Sequence, residues 1–276
     1  MSNQQIKFSI SDLLGFFFIF IINQFVLIGL FSLLKSIISI PYKNLATISA
    51  LAATPTSFLL LIVWIKQSKT VELPSVIRDS QTNIQIIVAL LISTSGLNIM
   101  LSEINNIFNN FWPLREEIIS KLNQIIFTDS KGLIITFLVL TTITIVLEEF
   151  LLRGLILRKL LPNYKPEIAI LAIVIFEVLI NFSFHNLLTT LTISLLLSWL
   201  YIQNKSLLNC IIANLFFNLI PPLLIYFTSI RIPGFNTKLS TTTQFQPVWF
   251  NLMGIILFFS GSWLLLKKLK SKTNKV

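Results

Sequence analysis

Residues 133–161 read LIITFLVLTTITIVLEEFLLRGLILRKLL. From Leu133 to Leu147 every side chain is apolar or a threonine. A bilayer core takes about 20 apolar residues in an α-helix. The run near Leu133 to Leu152 is long enough to span it, and the helical pattern carries on through GLILRKLL to Leu161, where Pro162 stops it. Backbone groups in lipid must be satisfied within the span, so the segment is a helix rather than an open strand. Inside it sit Glu148, Glu149 and Arg153. Ionisable groups there are costly and are functional candidates by default.

The rest of the chain repeats the pattern. Comparable runs lie near Leu13–Leu34, Leu45–Ile65, Ile84–Leu101, Ile168–Phe184, Leu187–Ile202, Leu207–Phe227 and Val248–Leu266. No strand-like alternation occurs, which argues against a β-barrel. The expected fold is all-α: a polytopic membrane protein, one transmembrane domain over residues 1–276, with about eight helices around a polar cavity. Composition agrees. Only 12% of the residues are charged and 54% are hydrophobic, with a mean hydropathy of +0.83. A soluble domain carries about 25% charged residues. The first run lacks a small-residue cleavage site and is too long for a signal-peptide core, so it reads as a retained span. The polar stretch Ser102–Lys131 has apolar residues at helical spacing and reads as an interfacial amphipathic helix, with Trp112 at headgroup level.

The 21 Lys and Arg against 11 Asp and Glu give a net charge of +10. With an even number of spans both termini share a side. Fourteen of the 21 basic residues then fall on that side. The positive-inside rule places it in the cytoplasm. The tail KKLKSKTNK is expected to touch anionic lipid, and the charge excess calls for no nucleic-acid partner. The expected location is the plasma membrane of a bacterium.

One Cys and one His limit the chemistry. A single Cys excludes an internal disulfide and a thiolate zinc cluster. Cys210, in LLNCIIANLFFN, reads as a small buried hydrophobe. HExxH is absent, and no ordinary catalytic zinc site can be built from one imidazole.

The polar residues inside the spans form three groups. Glu149 and Arg153 are four apart with the acid on the N-terminal side, the favourable helical pair. Glu148 projects about 100° away and lacks a local partner. A carboxylate in that setting suits acid–base work. The plain alternative puts all three at the membrane edge in water. Glu177, Asn181 and His185 share a second helix face, and Cys210, Asn214 and Asn218 a third. A lone His is more often an ordinary hydrogen-bonded residue, and paired Asn are often bundle glue. Three polar faces that cannot meet lipid cheaply should converge. Pro221 and Pro222 should bend or end the last of these helices.

At these residues the chain resembles the CPBP intramembrane protease family, which includes the CAAX prenyl endoproteases and bacterial Abi-like proteins. Glu148-Glu149-Phe150-Leu151-Leu152-Arg153 matches the EExxxR motif in full. His185 fits the His of FxxxH, with Asn181 at the Phe position and Phe182 and Phe184 beside it. Asn218 fits the last position of HxxxN, and Asn214 stands where that motif has His. The similarity covers about residues 133–220. It implies an intramembrane endopeptidase in which Glu148 and His185 activate a water. Asn214 and Asn218 would stabilise the oxyanion, with Glu149 and Arg153 holding the site. Glu177 is an extra carboxylate, expected to pair with His185 or Asn181. No cofactor is required. A weakly bound divalent metal, if any, would use Glu148 and His185. The substrate class is a membrane-embedded or lipidated peptide or protein, cleaved at the cytoplasmic side. Two other readings stand beside this one. A catalytically inactive member would serve as a membrane scaffold, regulator or immunity-type factor. An ion-coupled transporter would use Glu148, Glu177 and His185 as a proton relay.

Overall fold

A computed structural model describes residues 9–38, 45–68, 83–127, 130–181 and 185–273. Its helices are α1 (Ile10–Ile38), α2 (Leu45–Ser68), α3 (Ile84–Phe111), α4 (Glu116–Ile126), α5 (Lys131–Glu149), a π-helical segment (Phe150–Leu157), α6 (Arg158–Leu160), α7 (Pro166–Asn181), α8 (Leu187–Asn204), α9 (Leu207–Phe227) and α10 (Val248–Thr273). Among the described residues every regular element is a helix. Seven rods are long and apolar enough to cross a membrane: α1, α2, α3, the continuous α5–π–α6 rod Lys131–Leu160, α8, α9 and α10. The chain is an integral membrane protein. The remaining expected span is α7, whose 16 described residues reach about 24 Å at 1.5 Å per residue. Phe182 and Phe184, placed in it by the sequence, lie outside the described residues.

Local chemistry sets the joints. Asn83 caps α3, its side chain accepting from Gln85 N at 3.0 Å. Pro166 opens α7, where its missing N–H costs no helical bond. Lys205 closes α8 at a φ of 52°, and Ser206 caps α9 by accepting from Asn209 N at 3.3 Å. That short link makes α8 and α9 antiparallel neighbours.

Two expectations are corrected here. The polar stretch Ser102–Lys131 is not one interfacial helix. Its first third extends α3 to Phe111, and Pro113 then separates α3 from the strongly amphipathic α4. Nor do Pro221 and Pro222 end α9, which runs on to Phe227. Pro221 cannot donate to the carbonyl of Phe217. Asn98 Nδ2 of α3 donates to that oxygen instead, at 2.6 Å. A neighbouring helix thus satisfies the acceptor that proline frees.

The closest helix pair is α3 with α10, antiparallel and lined by glycines. A Cβ at Gly96 would strike Phe258 N, and one at Gly261 would lie 2.7 Å from Ser93 Cα. Ser93 and Ser262 share a hydrogen bond of 2.9 Å across the same seam. Lipid tails are as apolar as the helices, so close backbone packing through small residues holds such pairs together. At the other edge Phe20 of α1 packs on Phe58 of α2 with ring centroids 4.9 Å apart. The π-segment lies at the centre, with Leu151–Leu157 buried against α7, α8 and α9.

The two ends of the bundle differ. At one end lie both helical turns, at residues 161–165 and at Lys205–Ser206, together with the start of α1, whose Ile10 N meets Tyr164 Oη at 3.3 Å. The C-terminal half of α10 points the same way. At the other end lie α4 and the loop 228–247. Asn106 and Ser102 bind this loop at Gly234 O (2.8 and 3.1 Å), and Asn123 exchanges hydrogen bonds with Leu239.

Candidate active site

The site is built upward from one buried cation. Arg153 is fully buried in the π-segment, a wide winding often found at functional sites. Its Nη1 donates to Glu149 Oε1 at 2.9 Å, the helical pair read from the sequence. Its Nη2 lies 2.9 Å from Glu177 Oε2 of α7 and donates to Ser194 O of α8 at 3.0 Å. Ser194 Oγ donates to the same Glu177 oxygen at 2.7 Å. Glu177 therefore turns its carboxylate to Arg153, whereas pairing with His185 or Asn181 was expected. The full charge on the guanidinium, held by only one helical acid, draws the second carboxylate in. Ser194 was not foreseen, because a serine in an apolar span carries no signal until its neighbour is known.

The next layer is made of amides. Asn214 Nδ2 of α9 donates to Glu149 Oε1 at 2.6 Å. Asn218 Nδ2 donates to both Asn214 O (2.9 Å) and Asn214 Oδ1 (2.7 Å). Asn181 Nδ2 donates to its own helix at Glu177 O (3.0 Å) and to Glu148 Oε1 at 3.2 Å. Among the described residues Asn181 is the hydrogen-bond partner of Glu148. The three acids are thus unequal. Glu149 and Glu177 share one guanidinium, and Glu148 takes a single neutral amide. Burial also grades along the site. Arg153 and Glu149 are fully buried, Glu148 is 9% exposed, and Asn181 and Asn218 are open.

His185 stands just before α8, with Nδ1 3.1 Å from Asn109 Oδ1 and its ring edge-on to Phe108. Asn105 Nδ2 donates to Thr189 Oγ1 at 2.8 Å one turn away. With Asn98 these form a stripe on α3: Asn98, Ser102, Asn105 and Asn109, at spacings of four, three and four. Those spacings mark one helix face and were legible in the sequence. The stripe runs along α3 from Asn98, bonded to Phe217 O of α9, toward the end of the bundle that bears α4 and loop 228–247. That end is opposite the start of α1 and the end of α10.

Segment 130–220 contains every motif residue just described. It matches a family model. The family is described as Rce1-like, type II CAAX prenyl endopeptidase Rce1-like, and the match covers residues 130–220. This agrees with the resemblance to the CPBP proteases carried by Glu148–Arg153. No curated protein and no solved structure matches the chain. Metal chemistry has weak support in the Rce1-like segment. Among the described residues no three His, Cys, Asp or Glu side chains group to hold an ion. Glu149 Oε1 and Glu177 Oε2 are taken by Arg153 and its neighbours, while the buried Glu149 Oε2 has no hydrogen-bond partner among the described residues. These residues do not fit a zinc centre, and no step is routed through one.

Proposed function

We propose that the protein is a membrane-embedded endopeptidase of the CPBP type, with Glu148 as the base. The carrying observation is the inequality of the three acids. Arg153 ion-pairs with Glu149 and Glu177, while Glu148 has one neutral amide at the open edge of a buried polar layer. A water bound between Glu148 and a scissile carbonyl gives its proton to Glu148, and the hydroxide adds to the carbonyl carbon. The tetrahedral intermediate collapses, and the leaving amine takes the proton back from the Glu148 carboxyl. His185, the imidazole that the family resemblance assigns to the site, steadies the water and the charge that develops. Glu149, Glu177 and Arg153 form an ion-paired frame that fixes the backbone beneath Glu148. Asn181 orients the base. The substrate is a membrane-tethered or lipidated peptide reaching the site from the loop-228–247 end. The test is cleavage of a membrane-tethered reporter: Glu148→Gln and His185→Ala each abolish it with expression intact, and full activity of Glu148→Gln sinks the mechanism.

A second reading has one observation in its favour. Both Asn218 donor contacts go to Asn214, and Asn214 donates to Glu149. The amides at the oxyanion positions are thus engaged with each other and with the frame. A family member that binds a membrane partner without cleaving it would keep such an arrangement. In that case a cellular phenotype survives Glu148→Gln.

A further inference from the structure

A cavity of about 710 Å³ lies between the start of α5 and the end of α9, outside the acid–amide layers. Its chemistry is sharply divided. Lys131, Arg231 and Lys238 supply three cations, and Ile135, Ile225 and Phe227 supply apolar wall. No carboxylate lines it among the described residues. The concentration of charge is unusual for its place. Among the described residues this end of the bundle carries six basic residues, and three of the six meet here.

The cations are set in different ways. Arg231 is anchored, its Nη1 donating to Thr228 O at 3.0 Å and its Nη2 to Ile225 O at 2.8 Å, at the carbonyl end of α9. Lys131 and Lys238 are exposed. Tyr226 lines the same cavity, and its hydroxyl has no hydrogen-bond partner among the described residues. The depth is also defined. Exposed Phe111, Trp112, Phe227 and Trp249 sit at helix ends on this side, and aromatic residues gather at the headgroup level of a bilayer. The cavity therefore spans the boundary, with cations beside the helix ends and apolar wall running into the spans. A free anion would leave that wall wet, and an uncharged lipid would leave the cations without a partner.

We propose that this cavity binds an anionic phospholipid, its phosphate among Lys131, Arg231 and Lys238 and one acyl chain along Ile135, Ile225 and Phe227. The site does not depend on the proposed protease chemistry. The test uses the full chain in nanodiscs containing a photoactivatable phosphatidylglycerol or phosphatidylcholine, with adducts mapped by mass spectrometry. The expected result is phosphatidylglycerol adducts within residues 131–135 and 225–238. Lys131→Gln with Lys238→Gln lowers them at least about tenfold, because each Lys near an anionic surface contributes roughly a fivefold factor. Ile135→Trp, which fills the apolar wall and leaves the charge alone, lowers them too. Replacing Lys267, Lys268 and Lys270 with Gln, at the other end, leaves them unchanged. Unfolding temperatures of all variants are measured alongside. Equal labelling by phosphatidylcholine, unchanged adducts in the double Lys variant, or displacement by millimolar inorganic phosphate would each overturn the proposal.

Discussion

Asn98 of α3 donates a 2.6 Å hydrogen bond to the carbonyl of Phe217, the oxygen that Pro221 deprives of its helical donor. The bond does two things. It lets α9 continue past two prolines, and it ties α3, the helix carrying the Asn stripe, to α9, the helix carrying Asn214 and Asn218. Asn98→Leu leaves the Phe217 carbonyl without a partner in a nonpolar setting, a loss of about 1–3 kcal/mol. Thermal unfolding in detergent should report it. Pro221→Ala restores an N–H to the helix, so adding it to Asn98→Leu should recover most of the loss. No recovery in the double variant would show that the bond does not serve this purpose.

The buried ion cluster makes a similar test of electrostatics. Arg153→Met strands two carboxylates, Glu149 and Glu177, in the core of the bundle. Breaking a buried pair from one side costs about 3–5 kcal/mol, much of it from the charge left behind. Expression and folded yield should fall sharply. Arg153→Met combined with Glu149→Gln and Glu177→Gln removes the stranded charge and should return folded protein without activity. If the triple variant folds no better than Arg153→Met, the cluster is not held by charge.

The ion cluster and α9 also show where the sequence is readable. The Glu149–Arg153 pair follows from a spacing of four on one helix, so local periodicity reveals it. The spans follow from hydropathy, which is additive along the chain. The second acid of the cluster is a different matter. Glu177 belongs to another helix, and only the packing of α7 on the π-segment brings it to Arg153 rather than His185. That Pro221 and Pro222 do not end α9 was hidden for the same reason. Proline breaks a helix when its orphaned carbonyl has nowhere to go, and the rescuing Asn98 lies on a helix far away in sequence. The Asn stripe on α3 was missed despite a clear spacing, since Ser102, Asn105 and Asn109 were assigned to an interfacial amphipathic helix, whereas α3 continues through them to Phe111.

The glycine seam gives a prediction about packing. Gly261→Val places side-chain atoms against Ser93 backbone, and Gly254→Val does the same against Ile99, whose Cγ2 lies 2.7 Å from a Cβ built there. Each should destabilise the protein by about 1–3 kcal/mol, the usual cost of overpacking. Gly15→Ala and Gly29→Ala meet nothing within 4 Å and serve as controls with no clash to relieve. Melting temperatures of the four variants check the claim. Equal stability of all four would mean that α3 and α10 are not in close contact.

The amide layer separates positioning from framework. Asn181→Ala removes the one amide on Glu148 and leaves the ion cluster whole. If Asn181 orients the base, kcat on the reporter falls about tenfold or more while KM and melting temperature change little. Asn214→Ala takes a donor from buried Glu149. It should lower stability as well as kcat. Equal melting temperatures for the two variants would contradict the division of labour drawn here.

The last prediction concerns which compartment His185 and Asn109 face. His185 and Asn109 lie at the end opposite the turn of residues 161–165, and the start of α1 and the end of α10 lie at the turn end. Among the described residues nine basic residues fall at the turn end and six at the other, with Arg153 buried between them; the positive-inside rule makes the turn end the cytoplasmic one. In that orientation His185 and Asn109 face outward, and the substrate expected for the proposed protease is an extracytoplasmic segment next to the membrane. Cys210 is fully buried, so single added thiols report without background. In intact cells a membrane-impermeant maleimide should label Thr242→Cys, in the loop at the open end. Asn163→Cys, in the opposite turn, should label only after permeabilisation. The reverse pattern would put the turn end outside and face His185 and Asn109 to the cytoplasm, where a prenylated chain end becomes the natural substrate to try.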